Sequence, residues 1–201
     1  MDNNALYKLT YGLFLLTARE AGKDNGCIIN TAMQVASNPT RISFAVQKTN
    51  LTHDMVLRSG ICNISSISTT ADFELFRRFG MQSGRDGDKF AEYTGVDRGE
   101  NGVLYLTEHS NMYISAKVTE HFDLGSHTLF IAEITDAQVL SEEESCSYAY
   151  YQSDIKAKPV AKTEKRSWTC SVCGYVYEGD EIPDDFECPL CHHGKEYFTQ
   201  S

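Results

Sequence analysis

Two Cys-x-x-Cys pairs near the end of the chain constrain its folding more than any other feature of the sequence. The pairs are Cys170 with Cys173 and Cys188 with Cys191, and fourteen residues separate them. Each pair places two thiolates in one tight turn, and the intervening segment is long enough for a hairpin that brings the second turn opposite the first. The expected product is a closed tetrahedral site of four sulfurs, which binds zinc or iron. Spacing alone leaves both metals open.

The residues around the cysteines favour iron. Gly174 directly follows the first pair, where a turn needs positive φ and backbone N–H groups can point at sulfur. Pro189 stiffens the second turn. Aromatic side chains would form a dry core, and burial together with N–H···S bonds sets the potential of an iron–thiolate centre. These aromatics are Trp168, Tyr175, Tyr177, Phe186, Tyr197 and Phe198.

The run Trp168-Thr-Cys-Ser-Val-Cys-Gly-Tyr-Val-Tyr177, followed by Cys188-Pro-Leu-Cys191, resembles rubredoxin. The resemblance implies one iron held by four cysteines. The loop between the pairs resembles the short form that is attached to larger redox proteins. His192 stands where the second turn of that family usually has glycine, and histidine tolerates the left-handed region better than most residues. A structural zinc ribbon is the alternative.

The chain has 201 residues, which suits one medium domain and one very small domain. We expect a first domain over 1–151, a linker over 152–166 and a metal domain over 167–201. No apolar run reaches membrane-spanning length, and the first four residues lack the pattern of a signal peptide. The expected location is therefore the cytoplasm, without contact with a membrane.

The net charge of −10 argues against nucleic acid as a partner. Half of it lies in residues 166–201, which hold seven acidic and two basic side chains. An acidic surface near an electron-carrying metal could steer a basic patch on a partner protein. A merely solubilising surface is the alternative interpretation.

Residues 1–150 are dominated by a period of two, and the expected fold is mainly β. In the clearest case, Ile42, Phe44 and Val46 alternate with polar or small residues. Short strands with few helices indicate a closed or half-open β-barrel. The expected strands are Gly12–Arg19, Cys27–Ile29, Arg41–Lys48, Ile61–Ile64, Val103–Leu106, Met112–Val118 and Thr128–Ile134, and the expected helices are Leu51–Arg58 and Ala71–Phe79.

Three clusters in this first part could bind a ligand. A strand runs into a loop of small and amide residues at 30–35, whose polar groups could bond the edge of a flat heterocycle. At 47–52 a strand end enters a helix, and hydroxyls, a lysine and free helical N–H groups there suit a phosphate. His127 opens a later strand. Capped turns, and a histidine with a surface or core role, are the alternatives.

Together these residues resemble the flavin reductase-like family, which implies FMN on a split β-barrel and a homodimer. By that resemblance, Asn30, Thr31, Ala32, Met33 and Gln34 face the isoalloxazine. The phosphate would lie on Lys48, Thr49, Asn50 and Thr52, while Ser83 and Lys89 would lie near the flavin. His127 would lie where a nicotinamide stacks, with Ser126 in place of the usual aspartate of a Gly-Asp-His motif.

A flavin barrel followed by rubredoxin resembles the high-molecular-weight rubredoxins of anaerobic bacteria. Nicotinamide delivers two electrons as a hydride and one iron accepts a single electron, so flavin is the necessary converter. The resemblance implies transfer from NAD(P)H through FMN and iron to a protein acceptor, commonly a flavodiiron protein that removes oxygen or nitric oxide. One alternative is a flavin reductase that releases reduced FMN and carries a zinc ribbon as a docking module. Another is a non-enzymatic flavin sensor.

Overall fold

The computed structural model describes residues 2–156, 167–179 and 181–200, and antiparallel sheet dominates it. Seven strands of the first part form one sheet, in the order β2-β1-β5-β8-β9-β4-β3 given the numbering below, while β6 and β7 form a separate hairpin. The expectation of a mainly β fold is confirmed. The strands are β1 (Phe14–Glu20), β2 (Lys23–Ile29), β3 (Met33–Ser37), β4 (Thr40–Gln47), β5 (Ile61–Ile67), β6 (Val96–Arg98), β7 (Leu104–Leu106), β8 (Ser110–Asp123) and β9 (His127–Val139).

The large sheet rolls into a barrel. Strands β2 and β4 are separated by four others in the sheet order. Nevertheless, Ile29 of β2 and Phe44 of β4 belong to one buried apolar cluster, together with Ile64 of β5 and Phe130 of β9. Only a strongly curved sheet brings side chains from such distant strands together. The alternation seen in the sequence at residues 42–46 thus marks the inner face of the barrel.

Helix α1 (Leu51–Ser59) packs against the barrel and buries Met55 and Val56 in its core. It ends at Gly60, which has φ of 69° and donates its N–H to the Val56 carbonyl at 2.9 Å. Glycine adopts this left-handed conformation without steric cost. The expected helix over 51–58 lies within one residue of α1.

A second layer covers the outer face of β1. It contains α2 (Phe73–Phe76), which continues as a π-helical turn over Arg77–Met81, and α3 (Tyr148–Tyr150), which continues over Tyr151–Ile155. Leu15 of β1 packs in one buried cluster with Phe79 and Tyr151. No helix in residues 2–156, 167–179 and 181–200 combines the length and the apolar character that crossing a bilayer requires.

Two local differences from the sequence expectations have simple causes. Residues 33–37 form strand β3 rather than a loop, because an edge strand with both faces exposed leaves no alternation to read. The linker expected over 152–166 begins with helical residues, since the turn that starts at Tyr151 runs to Ile155 and buries the Tyr151 ring. The rest of that linker, 157–166, lies outside the described residues.

The metal domain contains a small sheet in the order β11-β10-β12, built from β10 (Ser167–Cys170), β11 (Val176–Glu178) and β12 (Phe198–Gln200). Among its described residues, the buried apolar side chains are those of the four cysteines and Phe198, and partly buried aromatic and aliphatic side chains surround them. Phe73 and Met81 of the barrel pack against this same cluster. The two domains are therefore in apolar contact.

Gly84 offers a test of the packing that supports the barrel. A Cβ at this position would lie 2.3 Å from Oδ1 of Asn25, whose amide donates to the Thr52 hydroxyl at 2.9 Å. Gly84→Ala is expected to lower the free energy of unfolding by about 1–3 kcal/mol, measured by thermal unfolding in circular dichroism. Gly87→Ala is the matched control, because a Cβ there meets nothing within 4 Å. Equal melting of the two variants would contradict this packing.

Candidate functional site

The four cysteine sulfurs converge on one point. All four Sγ atoms lie within 4.8 Å of one another, with Cys170 to Cys191 at 3.7 Å and Cys173 to Cys188 at 3.4 Å. A tetrahedral ion with metal–sulfur bonds of about 2.3 Å would hold its sulfurs about 3.8 Å apart. The observed set fits a tetrahedral thiolate-bound metal.

Burial makes this cluster unfavourable without a cation. It raises the pKa of the Cys173 thiol to about 12 and also raises the pKa of Cys191. For Cys170, burial raises the pKa too, but hydrogen bonds from the backbone N–H groups of Cys173 and Val172 and from the Cys173 and Cys191 side chains together outweigh it, so the net shift is downward. Four adjacent thiolates in a dry site need a bound metal to balance their charge. The N–H groups directed at sulfur match the expectation from the turn sequence.

The two metal turns have the same backbone geometry. Gly174 donates its N–H to the Cys170 carbonyl at 2.9 Å, and His192 donates to the Cys188 carbonyl at 2.8 Å. Both residues are in the left-handed region, with φ of 81° and 57°. His192 therefore adopts, at some steric cost, the conformation that Gly174 adopts freely.

The predicted aromatic shell is largely present. Five of the six aromatics belong to the cluster around the cysteines, and Phe186 lies between Tyr177 at 4.7 Å and Phe198 at 5.4 Å. Tyr197 is the exception. Its side chain is 41% exposed and packs edge-on against His193 at 4.6 Å. The cysteine cluster is nonetheless packed among aromatic side chains.

Three of the ligand segments predicted in the barrel meet at the end of β4. The Thr31 hydroxyl accepts the N–H of Ala45 at 2.9 Å and so ties the first segment to β4. Lys48 donates its N–H to the Ser126 carbonyl at 3.0 Å, and His127 follows as the first residue of β9. The strand pairing thus gathers Thr31, Lys48 and His127. Ala32 is half-buried, whereas Met33 and Gln34 lie exposed on edge strand β3.

The start of α1 is open to an anion. Asn50 occupies the N-cap position, but its side chain makes no capping hydrogen bond, and Thr49 beside it is exposed. Thr52 is fully buried, and its hydroxyl accepts a hydrogen bond from the Asn25 amide. Free N–H groups at a helix start are suited to phosphate. Thr52 therefore holds residues 48–52 in place from the protein interior, whereas Thr49 and Asn50 lie at the surface of this segment.

Lys48 already has a partner. Its amine lies 2.6 Å from Oδ1 of Asp123, an oxygen that also accepts the Gly125 N–H at 2.7 Å. The hydrogen bond from Lys48, followed by that from Gly125, lowers the pKa of Asp123. An anion at the start of α1 would compete with this exposed carboxylate for the lysine.

Ser83 and Lys89 occupy opposite ends of one loop. The Ser83 hydroxyl accepts the N–H of Arg85 at 3.1 Å and is exposed. Lys89 is buried, and its amine donates to the carbonyls of Gly26 at 3.0 Å and Phe79 at 3.1 Å. Burial lowers the pKa of Lys89. The lysine therefore fixes β2 and the turn at 77–81 by its own hydrogen bonds.

One cavity joins the predicted flavin loop to the second metal turn. It has a volume of about 650 Å³, and its lining includes Ser83, Lys89, Met81 and the metal ligand Cys191. A metal at the four sulfurs would therefore lie next to two of the side chains predicted to neighbour the flavin.

A second cavity, of about 690 Å³, runs from Asn30 to the first metal turn at Val172. Met81 lines this cavity as well, and Tyr151 forms part of its wall. Burial, then the neighbouring Tyr148 and Cys173, raise the pKa of Tyr151 to about 12. Tyr151 of the barrel is thus electrostatically close to a metal ligand.

His127 and His53 have different surroundings. His127 is half-buried, and its Nδ1 lies 2.9 Å from the Ser126 hydroxyl, so the serine contacts the ring where the family motif has an acid. His53 is buried, with Nδ1 2.9 Å from Asp54 and Nε2 2.8 Å from the Thr128 hydroxyl. That arrangement agrees with a satisfied core histidine.

Neither Met81 nor Tyr151 belongs to any of the motifs in the sequence that predict a binding site. Both lie in the gap between the barrel and the metal turns. No local pattern marks them, because an apolar residue at a domain contact looks the same in sequence as any core residue. Their position depends on how the π-helical turns at 77–81 and 151–155 pack.

Comparison with known proteins agrees with this two-part arrangement. The flavin reductase like domain family matches residues 6–158, and the family of rubrerythrin, rubredoxin-like domains matches residues 168–199. The high molecular weight rubredoxin of Moorella thermoacetica is 34% identical over 100% of both chains. The ferric-chelate reductase (NAD(P)H) of Archaeoglobus fulgidus is 38% identical over 79% of this chain and 93% of its own.

The fold is also found among solved structures. The FMN-binding protein from Thermus thermophilus with bound 1-cyclohex-2-enone has a TM-score of 0.61 at 18% identity, over 67% of this chain and 73% of that one. At this identity the likeness extends to the fold alone. It agrees with the rolled sheet described above.

Substitutions at the left-handed residues of the two metal turns should change the stability of the metal domain in opposite directions. His192→Gly should raise the stability of the metal domain by about 1 kcal/mol, because the steric cost of a side chain at positive φ is removed. Gly174→Ala, the matched change in the other turn, should lower it. Urea unfolding followed by Trp168 fluorescence reports this domain selectively, since the chain has one Trp. A shift of both variants in the same direction would contradict the equivalence of the turns.

Proposed function

This chain belongs to the flavin reductase-like family and, along its whole length, to the high-molecular-weight rubredoxins, and we propose that it is an NAD(P)H-dependent electron-transfer enzyme. Electrons would pass from NAD(P)H through FMN to iron in the four-cysteine site, and from there to a separate protein. The name of the Archaeoglobus relative supports a nicotinamide donor.

One observation carries the proposal. The ligand Cys191 and the predicted flavin neighbours Ser83 and Lys89 line a single cavity. The second cavity likewise reaches from Asn30 to Val172, the residue before ligand Cys173. Two independent segments predicted to hold a flavin therefore each open toward a turn that holds the metal. A purely structural metal has no need of this proximity.

The barrel has the features that FMN requires. The cavities have the volume of ordinary ligand sites, about 300–1,000 Å³, and the uncapped start of α1 offers N–H groups to the phosphate. Bound FMN would supply the conversion of a two-electron hydride into single electrons. Asn30 to Gln34 would hold the ring edge, and Lys48 to Asn50 the phosphate. Thr52 and Lys89 would support these segments by the hydrogen bonds described above.

His127 is the proposed residue at the nicotinamide side. It opens β9, next to Ser126, whose carbonyl accepts the N–H of Lys48. The Ser126 hydroxyl would orient the imidazole, since it lies 2.9 Å from Nδ1. A hydroxyl can donate to a neutral ring nitrogen or accept from it, so this pair can orient either tautomer.

A homodimer is part of the proposal. Large apolar side chains are exposed on the edge strand β3, at Met33 (60%) and Val35 (49%), and at the β8–β9 turn, at Phe122 (49%) and Leu124 (57%). Apolar side chains exposed in this number indicate an interaction surface. Met33 is itself one of the residues predicted at the flavin, so a second copy bound here would shield the cofactor.

The proposed final acceptor is a protein with a basic docking patch, and a flavodiiron protein that removes oxygen or nitric oxide fits the family. The metal domain exposes acidic side chains, among them Glu178, Asp184 and Glu187. A negatively charged surface accelerates the encounter with a positively charged partner protein.

Zinc is the alternative for the metal, because sulfurs at these distances suit zinc as well as iron. In that case the metal domain would be a docking module, and the barrel would release reduced FMN to another enzyme. The two readings differ in colour. A ferric tetrathiolate is red through sulfur-to-iron charge transfer, whereas zinc adds nothing to the yellow of flavin.

An absorption spectrum under argon, before and after adding NADH, tests the relay. The natural protein should show thiolate–iron and flavin bands, and NADH should bleach both. Cys170→Ala should lose the thiolate–iron band and keep flavin bleaching, and its reduction of an added protein acceptor should fall by about tenfold or more.

Cys62→Ala is the matched control, since Cys62 is a buried thiol of the barrel core. It should retain both bands and acceptor reduction. Normal acceptor reduction by Cys170→Ala would exclude the relay, and a natural protein without the red band would favour the zinc alternative.

The pairing of Lys48 with Asp123 gives an expectation for flavin affinity. Asp123→Asn keeps an oxygen for the Gly125 N–H but releases Lys48 for the phosphate. FMN should bind about two- to fivefold more tightly, as measured by quenching of FMN fluorescence on titration into flavin-free protein. Glu142→Gln makes the same charge change at an exposed site near the opposite end of the β8–β9 hairpin and should have no effect. Unchanged or weaker binding by Asp123→Asn would contradict a phosphate site at Lys48.

A further inference from the structure

The metal domain faces the barrel through its two metal turns. Every residue that it contributes to the two inter-domain cavities comes from these turns. We name this surface the turn face, and it consists of Ser171, Val172, Cys191, His192 and His193.

The barrel contacts the metal domain through two apolar side chains, Phe73 and Met81, which we name the barrel seat. Both pack against the cluster that surrounds the cysteines. Met81 also lines both cavities and therefore separates them. Phe73 begins α2 and Met81 ends the π-helical turn that follows it, so one short helical segment carries the whole seat.

The turn face is also the short way to the metal. The four cysteines are almost completely buried, and Cys191 on the turn face is the most exposed of them at 3%. Aromatic side chains of the shell, including Tyr177 and Phe186, also pack against the cysteine cluster. Electron transfer weakens steeply with distance, so a donor and an acceptor both gain most by approaching through the turns rather than through the shell.

We infer that the turn face is a single docking port, which binds the barrel seat when the metal receives an electron and an acceptor protein when the metal gives one up. The two contacts exclude each other because both need the same residues. This inference rests on the proposed function. One NADH and two ferric centres give NAD⁺, one proton and two ferrous centres, and each ferrous centre then reduces one ferric acceptor.

Charge around the port indicates the chemistry of the acceptor. Exposed carboxylates flank the second turn, at Glu187 and Glu196. On the barrel side, Asp86 and Asp88 line the same cavity as this turn. Like charges across the contact oppose tight docking, whereas a partner with lysines around a one-electron centre is attracted to the same rim. A basic ferric haem protein is therefore a suitable probe.

A covalent link between the domains tests the inference. Ala149 of the barrel and Ser171 of the turn face are exposed residues that line one cavity. All seven native cysteines are buried, so a bis-maleimide with a central disulfide should join Ala149→Cys to Ser171→Cys selectively. Intact-mass spectrometry measures the yield of the link, independently of activity. The same double variant capped with N-ethylmaleimide is the control.

Linked protein under argon should still transfer electrons from NADH to the metal, within about twofold of the capped control, because the seat stays occupied. Its reduction of mitochondrial cytochrome c should fall by about tenfold or more, because the port is blocked. Cleaving the disulfide, followed by removal of the reductant, should restore cytochrome c reduction.

Three results would overturn the inference. Cytochrome c reduction at the control rate by linked protein would place the acceptor elsewhere, and loss of internal metal reduction on linking would show that the seated arrangement does not conduct electrons. Failure of the link to form would show that the seat is not occupied in solution. Failure of the proposed function is distinguishable, because NADH would then leave the metal of the unlinked protein oxidised.

Discussion

The metal domain depends on the balance between four buried sulfurs and the ion that they enclose. Among the described residues of this domain, four of the five buried apolar side chains are the cysteines themselves, and the fifth is Phe198. A domain of this size cannot bury enough apolar surface to be stable alone, so a bound metal replaces the missing core. The sulfurs must be held together for the rest of the domain to form. The backbone turns, the aromatic shell and the contact with the barrel all depend on it.

The barrel brings distant parts of the sequence to one place. Strand β4 is paired with β3 on one side and β9 on the other. Residues near 31 and near 127 are therefore neighbours of the same strand end, from which the chain enters α1. Register in a sheet with one buried face is strongly fixed, so this juxtaposition follows from the core pattern at Ile42, Phe44 and Val46.

The four-sulfur core of the metal domain and the strand register of the barrel explain how far the sequence could predict the structure. Cysteine spacing and strand alternation are local patterns with direct physical meaning, and both identified the right elements. Strand β3 was missed because its faces are both exposed. The role of Met81 was not visible, because it arises from the packing of two domains. Likewise, Lys89 was predicted beside a flavin, but no local pattern could reveal that its amine is satisfied by the carbonyls of Gly26 and Phe79.

The position of Lys89 connects the two halves of the molecule. Its hydrogen bond to the Phe79 carbonyl fixes the π-helical turn two residues before Met81, and its bond to Gly26 fixes that turn to β2. Burial of an ammonium group is costly unless its donors are satisfied, so this arrangement is rigid. The same side chain lines the cavity that Cys191 enters. Lys89 thus holds the barrel seat at a fixed place beside this cavity.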